Sequence, residues 1–389
     1  MMMPLLRYGF RPFFLGAGLA AALLIPWWAG SYAFGVPLGT NWPPSLWHGH
    51  EMLFGFIGAA VAGFLLTAVP SWTGARGFAG WPLALAAGLW LVGRIAVASS
   101  GFWPLVAVAA VDLAFLPALA ALVLPPLVRA RNRNTPLLAV LAALWASNAS
   151  FYWALAHQDA GAALHALIVG IDIVLLLVTV IGGRIVPAFT ASALKQRGIP
   201  GTVSASSPMT ALVVGTMIAV IVCDVFAPDG AVSGAIAALA AVLQAARLAQ
   251  WQSLKTVRQP IVWVLHLAYA WLPVGFALKA IALLGGAAPA AFWLHALTIG
   301  AAATMILGVM TRASLGHTGR PLIIDPAITL AYVLLTAAAT VRVFGLAILP
   351  LSYPEVILLA ALLWTAAFVL FVLIYAPMLL APRADGKPG

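Results

Sequence analysis

Histidine is scarce in this sequence, with seven residues among 389, and four of the seven lie at the starts of long apolar runs. His48 and His50 precede Glu51 at one such start, in "WHGHEMLFGF", and His165 and His295 stand at two others. Neutral imidazole is a common ligand of haem iron and copper. Glu51 suits a second role, either accepting a hydrogen bond from an imidazole or carrying a proton. The residue types predict a metal centre, whereas any single histidine could simply lie at headgroup level with its polar tip in water.

The apolar runs behind these histidines have the length and composition of membrane spans. The chain is 64% hydrophobic and only 7% charged, far from the make-up of a soluble domain. Runs of about 20 residues without alternation predict helices, because backbone polar groups in hydrocarbon must be paired within the segment. We therefore predict an all-α, polytopic membrane protein with twelve spans. These are 12–34, 48–70, 82–100, 102–124, 136–156, 162–186, 208–227, 231–251, 260–284, 290–311, 326–348 and 355–380.

The distribution of basic residues predicts the orientation of these spans. With both termini in the cytoplasm, all of the 19 Lys and Arg residues except Arg94, Lys279 and Arg342 fall in or beside cytoplasmic segments, as the positive-inside rule requires. The net charge of +10 is scattered between apolar runs and not gathered on one soluble face, so nucleic acid is not an expected partner. The lipid bilayer is the expected partner of these basic residues. Residues 1–389 are predicted to form one integral membrane domain with a short cytoplasmic tail, 381–389.

A short pattern recurs at the second, sixth and tenth spans. His50, His165 and His295 are each followed five residues later by a glycine, and the spacing is four spans each time. This predicts three four-helix units, about 12–124, 136–251 and 260–380, in which the small glycine lets a helix or a flat ligand approach.

Helical geometry leaves the choice within the first pair open. His48 and His50 are two residues apart, about 200° around a helix, so both cannot face one bundle core as regular neighbours.

Three further polar residues are candidates for a functional site. Asp172 lies two turns after His165 on about the same face, and an acid at that depth is expected to belong to a polar path. His266 is a weaker ligand candidate because it lies near the cytoplasmic end of its span. Arg342 lies in the outer half of the eleventh span, where a buried guanidinium needs an anionic partner such as the carboxylate of a haem propionate. Partners for Asp112, Asp224, Arg94 and Lys279 cannot be matched from the sequence.

Several motifs together closely resemble the NnrS family over nearly the whole chain. They are "RYGFRPFF" from Arg7, "HGHEMLFGF" from His48, "FLLTAVPSWTG" from Phe64, "GGRIVPAFT" from Gly182 and "MTRASLGHTGRP" from Met310. The resemblance implies a bacterial inner-membrane protein that binds haem and copper and takes part in the response to nitric oxide. It does not assign individual histidines to metals.

The plan also shows a more distant similarity to subunit I of the haem-copper oxidases. That subunit has twelve helices, with haem ligands on the second and tenth and a copper ligand on the sixth. Its pattern around the helix-two ligand resembles His48-Gly-x-x-Met52 and favours His48, whereas the threefold repeat favours His50. No adjacent His-His pair and no histidine in the seventh span complete a three-histidine copper site here, so oxygen reduction is not expected.

The leading hypothesis is a haem-binding membrane protein that binds nitric oxide and reduces or removes it, protecting against nitrosative stress. Haem is the expected cofactor, of the b type, with copper as a second candidate. His48 or His50 and His295 are the predicted haem ligands, His165 a copper or second-haem ligand, Glu51 and Asp172 proton carriers, and Arg342 the propionate partner. No motif identifies an electron donor, so whether the protein is an enzyme stays open. A secondary transporter and a non-catalytic sensor or assembly protein are the alternatives.

Overall fold

The computed structural model describes residues 3–286 and 292–387, and within them the regular structure is entirely helical. Twelve of the helices are long and apolar enough to cross a membrane. They are α1 (Phe10–Phe34), α2 (Pro44–Thr73), α3 (Trp81–Ala98), α4 (Leu105–Arg129), α5 (Leu137–Ala156), α6 (Ala160–Gln196), α7 (Ser207–Phe226), α8 (Ala231–Ala249), α9 (Pro260–Gly285), α10 (Trp293–His317), α11 (Pro326–Ile348) and α12 (Tyr353–Leu380). The prediction of an all-α, twelve-span membrane protein is confirmed; the orientation of the termini and the three repeats remain predictions.

The sixth helix is longer than the sequence pattern indicates. The pattern predicts its end near residue 186, at the Gly-Gly-Arg motif, but α6 continues through Pro187 to Gln196. A proline inside a helix removes one backbone hydrogen bond, which can be tolerated in a membrane helix whose neighbours supply other partners. The basic motif that starts at Gly182 is therefore part of a helix and does not close one.

Two of the helices change their winding directly after a histidine. In α2 the turns after His50 form a π-helix over Glu51–Ile57. In α10 the turns after His295 form a π-helix over Ala296–Ala303. The sixth helix stays α-helical past His165. π-Helical turns are rare and are frequently found at functional sites, so they mark two of the three positions that the sequence pattern singles out.

The chain divides into two compact units. The first consists of Met1–Gly170, Ala313–Leu322 and Phe368–Gly389, and the second of Ile171–Arg312 and Ile323–Ala367. In the first unit α1 packs on α2, α3 on α4, and α4 on both α2 and α5. In the second, α8 packs between α7 and α9, and α10 packs between α9 and α11. These contacts within each unit position the candidate site residues described below.

The glycine of each recurring motif lies where a neighbouring side chain comes close. A Cβ atom on Gly55 would lie 3.2 Å from Cδ of Arg94, and one on Gly170 would lie 2.6 Å from Oγ of Ser147. A Cβ on Gly300 would overlap the ring of Trp271. The absence of a side chain at these three positions therefore lets a neighbouring helix come close within its own unit.

Candidate functional site

His50 lies at the centre of a buried polar cluster in the first unit, and its side chain is fully buried. Its Nδ1 atom is 3.2 Å from Oε1 of Glu51, and its Nε2 atom is 3.0 Å from Oδ1 of Asn148 and 3.2 Å from Oδ2 of Asp112. Asn148 donates through Nδ2 to Asp112 at 2.8 Å, which fixes its Oδ1 as the atom that faces the imidazole. Both ring nitrogens of His50 are thus occupied by hydrogen-bond partners.

The donors and acceptors of this arrangement restrict where hydrogens lie. Because Nε2 of His50 faces acceptor oxygens, it must carry a hydrogen. Nδ1 faces a carboxylate oxygen, so a hydrogen must lie between Nδ1 and Oε1 of Glu51 for that contact to be a hydrogen bond. In this arrangement neither nitrogen offers a lone pair to a metal, and the imidazole and Glu51 together hold a proton.

Arg94 forms ion pairs with both carboxylates around His50. Its guanidinium pairs with Glu51 through Nη1 and with Asp112 through Nη2. Tyr152 also donates to Asp112, at 3.1 Å. The partners of Arg94 and Asp112 could not be matched from the sequence, because they lie on helices that are far apart in the chain. These contacts join α2, α3, α4 and α5. We call these six residues the His50 cluster: His50, Glu51, Arg94, Asp112, Asn148 and Tyr152.

The π-helical turn of α2 contributes a further contact to this region. The carbonyl oxygen of Gly55 accepts a hydrogen bond from Nε1 of Trp90 on α3, at 3.0 Å. A π-turn shifts the backbone hydrogen-bond register, so carbonyl groups near it become available to side chains. The changed winding therefore helps to fasten the His50 end of α2 to α3.

His48 has different surroundings from His50, although the two residues are close in the chain. It is half-buried, and its ring stacks on that of Trp28 with centroids 4.2 Å apart and an interplanar angle of 22°. Stacking engages the face of the imidazole and orients it. Because the ring nitrogens of His50 are both engaged, His48 is the better candidate for a metal ligand on α2.

The other two histidines of the pattern are half-buried as well. His165 lies in the second turn of α6, in the first unit, and His295 lies next to the π-turn of α10, in the second. The Trp293–His295 turn packs against α11. Within the described residues, no group of three or more His, Cys, Asp and Glu side chains is arranged to hold a metal ion.

Arg342 is a buried cation with an unused donor. Its side chain is 8% exposed, Nη2 donates to Oη of Tyr353 on α12 at 3.1 Å, and Nη1 has no hydrogen-bond partner among the described residues. The guanidinium also lies over the rings of Phe292 and Tyr353, 4.9 Å and 5.3 Å from their centroids. Since Phe292 precedes His295 by three residues, this donor belongs to the same end of α10. A buried guanidinium with an N–H to spare suits an anionic ligand.

His266 forms two hydrogen bonds in the second unit. Nε2 lies 2.7 Å from Oγ1 of Thr190, and Nδ1 lies 2.8 Å from Oγ of Ser253. Thr190 donates to the carbonyl of Val186, so it accepts from His266. Both nitrogens of His266 therefore have partners in the described chain, and its geometry is that of a structural histidine.

Arg247 is a buried residue whose importance the sequence does not reveal. The predicted eighth span, 231–251, contains Arg247 near its cytoplasmic end, and the structure places it in the last turns of α8 with its side chain only 3% exposed. It donates to the carbonyl of Thr179 at 3.0 Å, to the hydroxyl of Tyr269 at 3.2 Å and to Oγ1 of Thr210 at 3.2 Å. Its guanidinium lies directly beside Gly183, where a Cβ atom would overlap it. The motif "GGR" in α6 thus makes room for an arginine from another helix.

Asp172 is fully buried on α6, in the second unit, close enough to Asp224 and Lys279 to interact with both. Lys279 forms an ion pair with Asp224 and lies over the ring of Trp293, 4.7 Å from its centroid. Neither carboxyl oxygen of Asp172 has a hydrogen-bond partner in the part of the chain that the structure describes.

Comparison with known proteins gives one assignment. No curated protein matches the chain. Residues 4–383 match the family described as NnrS protein, which covers nearly every position from the first helix to the end of the last. By this match the chain belongs to the NnrS family.

Proposed function

We propose that this protein binds haem in the bacterial inner membrane and binds nitric oxide at it, as part of the nitric oxide response that NnrS family membership suggests. Nitric oxide is small, apolar and soluble in the bilayer, so a metal centre within a helical bundle needs no aqueous entry channel. Bound haem would supply an iron with a coordination position for nitric oxide. The observation that carries the proposal is that α2 and α10 both become π-helical directly after a histidine of the recurring pattern, His50 and His295, and that the half-buried His48 lies two residues before His50.

His48 on α2 is the candidate haem ligand of the first unit, and His295 on α10 is the candidate haem ligand of the second. His48 is favoured over His50 because a metal at His50 would have to replace a hydrogen bond of one of its ring nitrogens. The ring of His48 is oriented by stacking on Trp28. His165 remains the candidate for a copper or second haem. The copper proposal is the weaker one, since no group of three ligand side chains occurs among the described residues.

Arg342 is the proposed partner of a haem propionate. Its Nη1 is buried beside two aromatic rings and has no hydrogen-bond partner within the described ranges. A carboxylate at this position would balance the charge of the guanidinium and accept a hydrogen bond from Nη1. Tyr353 holds the guanidinium through the other terminal nitrogen and so orients the remaining N–H.

Reduction of nitric oxide takes up protons, and two buried acids are the proposed carriers. Glu51 shares a hydrogen with His50, so it is able to pass a proton within the His50 cluster. Asp172 is the second carrier. Binding without turnover, as in a sensor or an assembly protein, needs neither acid to exchange a proton.

The optical spectrum of the purified protein tests this proposal. Protein in detergent is reduced and recorded with and without nitric oxide, and iron and copper are measured per chain. We expect iron in the preparation and haem bands that change on addition of nitric oxide. Consumption of nitric oxide supplied with an artificial electron donor separates an enzyme from a binding protein. A secondary transporter, for which buried acids are common, would be colourless.

A further inference from the structure

Three charged side chains are buried together in the second unit, on α6, α7 and α9. Asp172 is 0% exposed, Asp224 1% and Lys279 2%. We call Asp172 and Asp224 the acid pair. Charged groups at this depth are costly unless they are compensated, and they are functional candidates by default.

Asp224 is fully compensated by its neighbours. Its Oδ2 pairs with the ammonium of Lys279, and its Oδ1 accepts a hydrogen bond from Oγ of Ser233 at 3.0 Å. Lys279 in turn lies over the ring of Trp293 on α10. The positive charge of Lys279 therefore balances the negative charge of Asp224.

Asp172 has no such compensation. Its carboxyl group lies near Asp224, yet neither of its oxygens receives a hydrogen bond within the described residues. Two ionised carboxylates cannot hydrogen-bond to each other, because both only accept. An ionised Asp172 would also leave the group of two carboxylates and one ammonium with an uncompensated negative charge in a low-dielectric region, which is strongly unfavourable.

One hydrogen on Asp172 would supply the missing hydrogen bond between the two carboxyl groups and remove the excess negative charge. The geometry points to a proton-binding site at the acid pair, in which Asp172 is a neutral carboxylic acid in the resting protein and donates a hydrogen bond to Asp224. The group of three is then electrically neutral. Among the described residues, the charged side chains that interact with Asp172 are Asp224 from α7 and Lys279 from α9, and Ser233 from α8, which donates to Asp224, is uncharged.

A metal cation is a poor alternative occupant of this site. Calcium takes six to eight oxygen ligands, and sodium likewise needs several, whereas the ammonium of Lys279 already lies against one of the two carboxyl groups. The site therefore selects a proton. This inference rests on the proposed role of Asp172 as a proton carrier and deepens it, but the presence of the proton does not depend on haem.

Infrared spectroscopy of the full-length protein tests the inference directly. A neutral carboxyl group in an apolar environment gives a C=O stretch that is separate from the amide bands and moves to lower wavenumber in D2O. We expect such a band in the wild type, its loss in Asp172→Asn, and its retention in Asp325→Asn. Asp325 is an exposed residue that caps α11, and asparagine serves as a cap as well. An unchanged band in folded Asp172→Asn would overturn the inference.

Thermal unfolding provides the second readout. Because asparagine is neutral and of the same shape, Asp172→Asn should unfold close to the wild-type temperature, whereas Asp224→Asn should unfold at a lower temperature because it removes the ion partner of Lys279. Equal destabilisation by both variants would contradict a neutral Asp172. Sodium chloride and choline chloride at equal ionic strength should give the same unfolding temperature, and stabilisation specific to sodium would show a cation site instead. If the protein bound no haem, each of these expected outcomes would stay the same.

Discussion

Nε2 of His50 lies 3.0 Å from Oδ1 of Asn148, although the two residues are 98 positions apart in the sequence. This contact, with that of Nδ1 to Glu51, makes His50 a member of a hydrogen-bonded cluster and leaves His48 as the better ligand candidate on α2.

Substitution of the two histidines separately tests that assignment. We expect His48→Ala to lose most of the bound haem, because the side chain proposed to hold the haem is removed, and His50→Gln to keep it, because glutamine replaces some of the hydrogen bonds. The haem-to-protein ratio from absorption is the measurement. His157→Ala is the control, since His157 is exposed, follows the last residue of α5 and bonds to the carbonyl of Trp153 in that helix. Haem loss in His50→Gln with retention in His48→Ala would reverse the assignment.

Arg94 should be critical for stability. It pairs with both Glu51 and Asp112, so Arg94→Met leaves two buried carboxylates without this cation. Removing one partner of a buried ion pair costs about 3–5 kcal/mol, and we expect a loss of at least that size in the free energy of unfolding in detergent. Arg76→Met, at an exposed position, should have little effect. Similar free energies of unfolding for the two variants would mean that Arg94 does not stabilise the buried carboxylates.

The affinity for haem should depend on Arg342. Arg342→Gln removes the charge opposite the proposed propionate, and a hydrogen bond to a charged group contributes about 1.5–3 kcal/mol, or roughly ten- to a hundredfold in affinity. Titration of haem into haem-depleted protein measures this change, with the exposed Arg129→Gln as the control. An unchanged affinity in Arg342→Gln would remove Arg342 from the site while leaving the histidine ligands in place.

Gly183 should not tolerate even a methyl group. In Gly183→Ala the new Cβ would overlap the guanidinium of Arg247, which must then leave its buried partners on α6, α7 and α9. We expect a clear fall in unfolding temperature. Gly215→Ala is the matched control, because Gly215 also lies within a helix and nothing in the described structure is within 4 Å of a Cβ placed there. Equal unfolding temperatures would show that Arg247 is not held in place.

The C-terminal tail should respond to acid. The hydrogen bond from the Arg383 side chain holds the pKa of Asp385 well below its ordinary value, and Arg383 also donates to the carbonyl of His317 at 3.1 Å. A depressed pKa means that this contribution is present above the unfolded-state value of about 3.9 and is lost as pH falls through the folded-state value. Asp385→Asn should therefore make the tail more accessible to protease at neutral pH, and the difference should disappear in acid. Equal cleavage of the two proteins at neutral pH would show that Asp385 does not hold the tail.

The sequence predicts the helices of this protein well and their contacts poorly. The predicted eleventh span, 326–348, coincides with α11, because a membrane-spanning helix is determined by a continuous run of apolar residues. The partners of Arg94 and Lys279 are not recorded in this way, since each depends on how separate helices pack. The same holds for the buried contacts of Arg247, which lies near the cytoplasmic end of the predicted eighth span, and for the π-turn after His50, which no residue pattern indicates.

Haem binding and nitric oxide binding are tested most directly by the reduced absorption spectrum of the purified protein with and without nitric oxide, recorded for the wild type, His48→Ala and His295→Ala. We predict haem bands in the wild type that shift on binding nitric oxide, and their loss or change in both variants. A colourless wild-type protein that contains no iron and cannot be reconstituted with haem would contradict the account.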